Sequence, residues 1–423
     1  MCEERDEELV EEDESEAEYD VDKGRLAKIF FISFLLRVLV FMFSRDWLAS
    51  RPELVSPLTN YRRVLDGVAL KADFGTAYDG DLVLVQPMLL SFFSPFSYVS
   101  KISLFLLFCF FDFLAAFFLL CSVFHLNIDK NVGFTIYKCY LFNPFTITSC
   151  AIFSVSSFYN MVTSLFIYCF VSGAYLSTIV CLAFISSLCF HPIALLGSVI
   201  LRFPSSRAFS TLVVLSASIT IFVLLNFMFN GLNWNFVKST YGSLLQMDDL
   251  NPNSGVFWYL FIQVFPQFRQ FYLAVCQCSL IFYIIPLTFA LRKDPHLHVI
   301  ISLLLITIFS PYPTLNSGSV YLALLPSLEK YWKQPVRFVL LLGGIMVTCA
   351  VLMPVMWHMW IVVGSGNANF YFAVTLLYNF AQIYLMLDLL FAYYRSDLQA
   401  VCEDHLNLKT TLTFRSQLTK YEN

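Results

Sequence analysis

Long apolar stretches, separated by short polar segments, run through almost the whole chain. A helix that crosses a membrane needs about 20 mostly apolar residues. The pattern therefore predicts an all-α polytopic membrane protein with roughly ten to twelve transmembrane helices. The stretch 257–290 is long enough for two helices, with a break expected at Pro266 or Pro286. The candidate stretches are 26–44, 82–99, 103–124, 134–153, 157–176, 178–201, 210–229, 257–290, 297–312, 317–331, 337–358 and 370–393.

Several of these stretches contain helix-breaking residues. The sequence reads NPF at 143–145, HP at 191–192 and SPYP at 310–313. A helix that is interrupted at membrane depth leaves backbone groups without partners, and these groups must then meet protein or water. The interrupted helices are therefore expected to line a cavity rather than to face lipid.

The charged residues are few and unevenly placed, which excludes a soluble globular protein. Hydrophobic residues make up 58% of the 423 residues and charged residues only 13%, whereas soluble domains carry roughly a quarter charged residues. The first segment is strongly acidic and has no apolar period, so residues 1–25 are expected to form a disordered cytosolic tail. Residues 26–395 are expected to form a single membrane domain, followed by a polar C-terminal tail at 396–423.

Three polar residues interrupt the apolar stretches. Asp112 would be costly if it faced lipid, so it is expected to face the interior of the bundle. There it either joins helices through an ion pair or hydrogen bond, or handles a ligand or a proton. His191, beside Pro192, is expected to pack at a kink and to bond a freed carbonyl group. Asp388 lies near the end of a stretch and is expected to pair with Arg395.

Amphipathic rings end the stretch that precedes residue 364. Trp357, His358 and Trp360 occupy its last positions, as is typical of a membrane interface. His358 joins Asp112 and Asp388 as a candidate buried polar residue.

A polar, glycine-rich turn, GSGNAN at 364–369, connects this stretch to the next. Glycine supplies backbone freedom, and an asparagine amide is both a donor and an acceptor of hydrogen bonds. Asn367 and Asn369 are therefore candidates for binding a hydroxyl-rich or phosphate-bearing headgroup. The alternative is an ordinary interhelical loop in which an asparagine caps the following helix.

Sequence signatures of catalysis are sparse. The six His residues form no metal-binding box, and neither a P-loop nor a GxSxG motif occurs, so no catalytic residue, metal or cofactor is expected. The one enzyme-like feature is Asp79-Gly80-Asp81, because paired carboxylates can hold a divalent ion and a phosphate-linked sugar donor. This feature leaves open a multi-span glycosyltransferase that uses a lipid-linked sugar. The broken helices and Asp112 leave a transporter as a third class.

Five blocks of the chain, in order and at similar spacing over about residues 26–395, resemble one family. That family is PIG-U, the U subunit of the glycosylphosphatidylinositol (GPI) transamidase complex. The blocks are RPELVSPLTNYRRVLDGVAL (51–70), LFNPFTITSC (141–150), DLNPNSGVFWY (249–259), SPYPTLNSGSVYLALLP (310–326) and LMPVMWHMWIVVGSGNANFYFA (352–373). The acidic tail is not part of the family pattern.

The resemblance implies an endoplasmic reticulum membrane protein whose fold is similar to that of multi-span lipid-sugar glycosyltransferases. It implies a non-catalytic subunit that helps to bind and present the GPI lipid for attachment to the C-terminus of substrate proteins. Catalysis would belong to a Cys protease-like subunit, PIG-K. The other partners would be PIG-S, PIG-T and the GPI attachment protein, and no nucleic acid is expected.

The resemblance also implies a site. The family contacts the polar part of the lipid with two asparagines, which match Asn367 and Asn369 of this chain. The stretch 257–283 is similar to fatty-acid elongases, but it lacks their His box and therefore supports lipid contact at most. With the resemblance counted, the turn at 364–369 becomes the main candidate site, and the Asp79/Asp81 pair becomes the lesser one.

Overall fold

All regular elements in the described part of the chain are helices, which confirms the all-α class. This computed structural model describes residues 23–80, 82–126, 128–332 and 339–421, with side chains up to residue 402 except those of residues 332 and 339. The expected acidic tail lies almost wholly outside the described residues. The α-helices are α1 (Lys23–Leu48), α2 (Tyr61–Phe74), α3 (Pro87–Phe93), α4 (Lys101–Phe124), α5 (Lys130–Leu141), α6 (Pro144–Ala151), α7 (Ser156–Ser172), α8 (Tyr175–Leu188), α9 (Leu196–Arg202), α10 (Ala208–Phe229), α11 (Asn235–Val237), α12 (Ser243–Gln246), α13 (Phe257–Gln263), α14 (Pro266–Ala290), α15 (Pro295–Phe309), α16 (Ser319–Leu324), α17 (Glu329–Trp332), α18 (Val339–Trp357) and α19 (Ala368–Tyr421).

Short segments of other helix types join these elements. The 3₁₀ segments are Ser94–Tyr98, His191–Leu195, Ser205–Arg207, Leu315–Gly318 and Leu325–Leu328. Two π-helical turns, Lys238–Gly242 and His358–Val362, follow α11 and α18.

Six of the described helical segments are long and apolar enough to cross a membrane. They are α1, α4, α10, α14, α18 with its π-helical turn, and α19. The other candidate stretches form shorter or interrupted helices, such as α8 and α15, so the expected ten to twelve spans do not all appear as continuous long helices. The prediction of a polytopic membrane protein is confirmed.

The three expected interruptions are present. Pro144 begins α6, and the Asn143 side chain caps that helix by accepting the N–H of Phe145 at 2.9 Å. A 3₁₀ turn begins at His191, and α15 ends just before Ser310. Each break therefore gives a new helix start or a loop where the sequence predicted one.

The stretch 257–290 is also divided, at one of its two prolines. Pro266 is the first residue of α14, where its missing N–H has no helical partner to lose. Pro286 lies inside α14, which continues to Ala290. The break was therefore predicted correctly at Pro266, and Pro286 does not end the helix.

A fully buried ion pair ties α1 to α4. Arg37 Nη2 and Nε donate to Asp112 Oδ2 at 3.2 and 3.3 Å, and neither side chain is exposed. Arg37 Nη1 also donates to the carbonyl of Leu141 at 3.1 Å, so the guanidinium joins α5 to the same pair. Asp112 thus faces the interior of the bundle, and its ion pair with Arg37 favours the alternative in which it joins helices.

Loops that are far apart in the sequence meet at one end of the bundle, which we call the loop-rich end. The backbone N–H of Leu315 donates to the carbonyl of Glu53 at 3.0 Å. The Ser254 hydroxyl donates to the carbonyl of Pro313 at 2.8 Å. These bonds join the segments 49–60, 247–256 and 310–314 into one polar layer.

The opposite end of the bundle is closed by ion pairs and side-chain contacts to carbonyls. Lys293 pairs with Asp397 of α19 at 2.6 Å. Arg202, the last residue of α9, donates through Nε to the carbonyl of Phe170 at 3.3 Å. Helices that start at the loop-rich end therefore finish at this opposite end, where the chain turns and the next helix runs back.

The exterior of the long helices is apolar. Phe209, Phe282 and Leu340 on α10, α14 and α18 are all more than 70% exposed. Such surfaces are unfavourable in water and favourable against hydrocarbon. The exterior therefore fits a protein that is solvated by lipid.

The last helix carries the chain far beyond its apolar part. α19 runs without a break from Ala368 to Tyr421, over 54 residues. The polar segment that the sequence assigned to a separate tail, 396–423, continues this helix as far as residue 421.

Candidate functional site

The turn between α18 and α19, residues 363–367, is closed by backbone hydrogen bonds to the preceding π-helical turn. The N–H groups of Ser365 and Gly366 both donate to the carbonyl of Met359, at 3.0 and 3.1 Å. Gly364 has φ +72°, a left-handed conformation that residues with a Cβ rarely adopt. The turn is therefore a defined structure at the loop-rich end and not a loose linker.

The two asparagines of the turn each use their side-chain oxygen within the protein. Asn367 Oδ1 accepts the backbone N–H of Asn369 at 3.0 Å, which is the capping bond of a helix start. Asn369 Oδ1 accepts the hydroxyl of Tyr259. The capping alternative for Asn367 is therefore confirmed as its structural role.

The amide nitrogens of these asparagines remain available. Both Asn367 and Asn369 are exposed, and among the described atoms neither Nδ2 donates a hydrogen bond. An amide nitrogen carries two N–H donors. The turn thus presents a pair of neutral donors at the surface, while its acceptors hold its shape.

Aromatic rings lie beside and beneath the turn. Tyr259 stacks on Phe372 with ring centroids 4.2 Å apart. Trp258 is 1% exposed, and its ring centroid lies 6.4 Å from that of Trp360 and 6.0 Å from that of Tyr371. These rings connect α13, the π-helical turn and the start of α19, so they fix the position of the amide donors.

A group of buried polar side chains lies in the same region and was not singled out from the sequence. We call Arg51, Glu53, Trp258 and Tyr371 the buried polar cluster. Each is at most 5% exposed. Each has a polar atom without a hydrogen-bond partner among the described residues: Arg51 Nη1, Glu53 Oε2, Trp258 Nε1 and Tyr371 Oη.

Contacts between rings and charges connect this cluster to the turn. The Arg51 guanidinium lies 4.2 Å from the Trp357 ring and 4.9 Å from the Trp47 ring. The charges of Glu53 and Arg51 act electrostatically on the Tyr371 hydroxyl, two residues after Asn369. Burial raises the pKa of the Glu53 carboxyl to about 7, while its own backbone N–H and Arg51 oppose that shift.

A signal for this cluster was present in the sequence. Arg51 and Glu53 lie in the first of the five resembling blocks, in a loop that is too short to form a domain. Charged residues in a short loop are usually exposed to solvent, so the sequence alone did not indicate that Arg51 and Glu53 are buried.

The other candidate polar residues have different outcomes. Asp388 is buried on α19, and its pairing with Arg395 stays a prediction. His358 is exposed and not buried, because it begins the π-helical turn on the exterior of α18. His191 is buried at its interruption as expected, but its Nε2 bonds the side-chain Oε1 of Gln277 at 2.8 Å instead of a backbone carbonyl.

Of the acidic pair in the loop before α3, the structure describes Asp79 and not Asp81. Asp79 Oδ2 accepts the hydroxyl of Thr76, and Oδ1 accepts Asn235 Nδ2 at 2.7 Å. These hydrogen bonds lower the pKa of Asp79, and the bond from Thr76 has a larger effect than the bond from Asn235. Asp81 lies outside the described residues, and within those that are described no three metal-binding side chains come together. The geometry therefore gives Asp79 a loop-joining role.

A cavity of about 130 Å³ lies between the interrupted helices. His191 and Pro192 line it from one interruption, and Ser310 and Tyr312 line it from another. This confirms that interrupted helices line a cavity.

Comparison with known proteins supports the resemblance in the five blocks. Residues 31–378 match the family model described as GPI transamidase subunit PIG-U. The chain is 29% identical over 418 residues to the GPI-anchor transamidase component PIGU of Mus musculus, with 88% of this chain and 94% of that relative covered. It is 30% identical over 353 residues to the GPI transamidase component GAB1 of Saccharomyces cerevisiae, with 81% and 87% covered. This helical membrane chain therefore belongs to the PIG-U family of GPI transamidase subunits.

Proposed function

We propose that the chain is a non-catalytic subunit of a GPI transamidase complex in the endoplasmic reticulum membrane. In this role it helps to bind and present the GPI lipid, and a Cys protease-like subunit, PIG-K, carries out the chemistry. PIG-S, PIG-T and the GPI attachment protein are the other proposed partners. The names of the relatives as GPI transamidase components support this assignment.

The lipid-presenting role is supported by one observation: the side-chain oxygen and nitrogen of Asn367 and of Asn369 have different roles. Their oxygens hold the turn, and their nitrogens have no hydrogen-bond partner among the described residues, on exposed side chains between two apolar helices. Neutral N–H donors match the oxygens of phosphate and sugar groups without a charge that would need desolvation. Aromatic rings such as Trp360 are typical of the headgroup level of a membrane.

The test is a rescue assay in cells that lack their own U subunit, with a GPI-anchored reporter scored at the surface. The informative variant is Asn367→Ser/Asn369→Ala, because serine keeps a capping oxygen while both amide donors are lost. We expect the assembled variant to lower surface reporter by at least about tenfold, the effect of losing one or two hydrogen bonds to a charged group. Assembly is checked by co-purification.

Tyr259→Phe is the matched control. It removes the hydroxyl that Asn369 accepts but leaves both amide nitrogens in place. If it rescues like wild type while the double variant does not, the donors act on the lipid. Full rescue by the assembled double variant would show that the turn is only a connection between helices.

A further inference from the structure

The outward face of α5 is polar, unlike the exterior of the long helices. Its inward face is apolar and buried, with residues such as Phe134 and Leu141. Its outward face carries Thr135 and Cys139, which are exposed, and Lys138, which is half-buried. In a protein that is solvated by lipid, polar side chains are expected on the inward face instead. The reversed pattern indicates that something other than hydrocarbon covers the outward face of α5.

Lys138 lies at membrane depth. Three residues further along α5, the carbonyl of Leu141 accepts Ser33 Oγ at 3.2 Å and Arg37 Nη1 at 3.1 Å. Ser33 and Arg37 lie on either side of the middle of α1, which is long and apolar enough to cross the membrane. At 1.5 Å per residue, Lys138 is therefore about 4.5 Å along the helix from the middle of that span. The edge of the hydrocarbon layer is about 15 Å from its middle, so the Cα of Lys138 lies well inside this layer.

The ammonium group of Lys138 has no counter-ion within the described part of the chain. The ion pairs found there all involve other cations. The carboxylate of Asp112, on the inward side, is already paired with Arg37. A lysine at this depth without a partner is costly, and such residues normally pair with another group. The described residues do not supply that group.

A recess of about 410 Å³ lies on the exterior beside this lysine. The Asn143 side chain accepts the N–H of Phe145 through Oδ1 at 2.9 Å and donates through Nδ2 to Ser319 Oγ at 3.2 Å. One N–H of that Nδ2 is left, and a lysine ammonium has only donors. A positive charge with an N–H donor beside it matches a carboxylate. The residues that line the recess are Lys138, Cys139, Phe142, Asn143 and Leu322.

The depth of the recess decides where such a carboxylate comes from. Phospholipid phosphates lie at the headgroup level, outside the hydrocarbon layer. The acidic residues of the segment 1–22 would have to leave water to reach Lys138, which is unfavourable. An acidic residue on a transmembrane helix of another chain is already at this level. Thr135 and Cys139, four residues apart on the exposed face, are small, and small residues let a second helix approach closely.

We propose that the outward face of α5 is a docking surface for a transmembrane helix of another subunit of the complex. In this interface an aspartate or glutamate of the partner helix pairs with Lys138. The contact resembles the Arg37–Asp112 pair, which joins helices within the chain. The inference concerns assembly and does not depend on the proposed lipid-presenting function.

The first experiment identifies the helix that covers this face. The photoreactive residue benzoylphenylalanine replaces Thr135, one turn from Lys138, in cells that produce the whole complex. We expect a crosslink to a transmembrane segment of another subunit, with an acidic residue within about one turn of the crosslinked position. An assembled complex in which position 135 crosslinks only to lipid, or to residues 1–22 of the same chain, overturns the proposal.

The second experiment reverses the charge. Lys138→Glu should lower the amount of partner subunits that co-purify with the chain by at least about tenfold, as expected when an ion pair away from water is lost. Lysine in place of the acidic residue on the crosslinked helix should restore co-purification, because opposite charges then meet again. Lys130→Glu makes the same change at the exposed start of α5 and should assemble like wild type. Undiminished assembly of Lys138→Glu contradicts the proposal.

A third variant, Lys138→Leu, keeps the proposal testable if Lys138→Glu does not fold. Leucine is favoured against hydrocarbon, so this variant alone should be monodisperse in detergent and at least as stable as wild type. We expect it nevertheless to lose its partner subunits. Full assembly of Lys138→Leu would show that the lysine only extends its ammonium group toward the headgroups. Neither result bears on the lipid-presenting function, which is tested with the assembled Asn367→Ser/Asn369→Ala variant.

Discussion

At the scale of the residue, the Arg37–Asp112 pair shows how this protein places charge inside an apolar bundle. The guanidinium meets a carboxylate on α4 and a carbonyl at the end of α5, so most of its donors are used. A charge at this depth is tolerated only with such partners. Arg37 would be unfavourable against lipid, but in this position its bonds hold α1, α4 and α5 together.

Removal of one partner should expose that cost. Asp112→Asn leaves the Arg37 guanidinium without its counter-charge, and we expect a loss of about 3–5 kcal/mol in the free energy of unfolding. The double variant Arg37→Met/Asp112→Leu should recover much of the loss, because no buried charge is left unpaired. The measurement is SDS-induced unfolding of the purified chain in micelles.

Asp46→Asn is the control for this comparison. It breaks the Arg45–Asp46 pair, in which the aspartate is 99% exposed, and should change stability by less than about 1 kcal/mol. A double variant as unstable as Asp112→Asn would show that shape, and not unpaired charge, dominates at this position.

The sequence predicts the burial of Asp112 but not the buried polar cluster, and the reason is physical. A lone aspartate between apolar residues has one low-energy environment, so its position follows from local pattern. The cluster brings residues 51 and 53 near residue 371, whose ring lies 6.0 Å from that of residue 258, and these residues are far apart along the chain. Only the packing of α13 and α19 decides that meeting. The same reason explains why the Tyr259–Asn369 bond was not foreseen.

At the scale of the element, short helices are packed closely enough for a single atom to matter. Gly197 in α9 faces Thr288 of α14 and His298 of α15, where a Cβ would lie 2.5 Å from Thr288 Oγ1 and 3.1 Å from His298 Cε1. His298 is itself held by Ser198, whose Oγ lies 2.6 Å from its Nδ1. Small residues at helix crossings permit this closeness in membrane proteins.

Gly197→Ala should therefore destabilise the chain. The added methyl group must displace Thr288 or His298, and we expect a loss of about 1–3 kcal/mol by overpacking. Thermal unfolding in detergent, followed by loss of monodisperse protein, measures the change.

The control is a glycine with free space around it. A Cβ at Gly343 in α18 meets nothing within 4 Å, so Gly343→Ala should be neutral or stabilise by up to about 1 kcal/mol. Equal stability of the two alanine variants would mean that α9 can shift to relieve the contact.

At the scale of the whole molecule, the helices carry polar segments to two separate ends. The loop-rich end holds the segments 49–60, 247–256, 310–314 and the turn at 363–367, joined by hydrogen bonds and the Tyr259–Asn369 contact. The opposite end holds the segments 170–174, 203–207 and 291–294. The turn at 363–367 and the cavity therefore lie at the same end of the bundle.

This arrangement predicts which positions share a compartment. Ala49→Cys and Ser365→Cys, both exposed at the loop-rich end, should react with a membrane-impermeant maleimide from the same side of sealed microsomes. Ser206→Cys is exposed at the opposite end and should react from the other side. If the first two variants react in sealed microsomes, Ser206→Cys should react only after the membrane is opened. If Ser206→Cys reacts in sealed microsomes, the first two should react only after opening. Wild type sets the background from native cysteines.

Labelling of Ala49→Cys and Ser206→Cys from one side would contradict the arrangement, because α1 and α10 would then not cross the bundle in the order described. Labelling of Ala49→Cys and Ser365→Cys from different sides would show that the segment 49–60 and the turn at 363–367 do not lie at the same end of the bundle.

The unbroken length of α19 has a mechanical consequence. A helix of 54 residues is about 80 Å long at 1.5 Å per residue, whereas the hydrocarbon layer is about 30 Å thick. The amide turn is attached to one tip of this rod, and the other tip extends well past the bilayer. A tilt of about 5° around its midpoint moves each tip by about 3.5 Å, more than the length of a hydrogen bond. A partner that binds the distant end of α19 and tilts the helix would thus displace the amide turn at its other end.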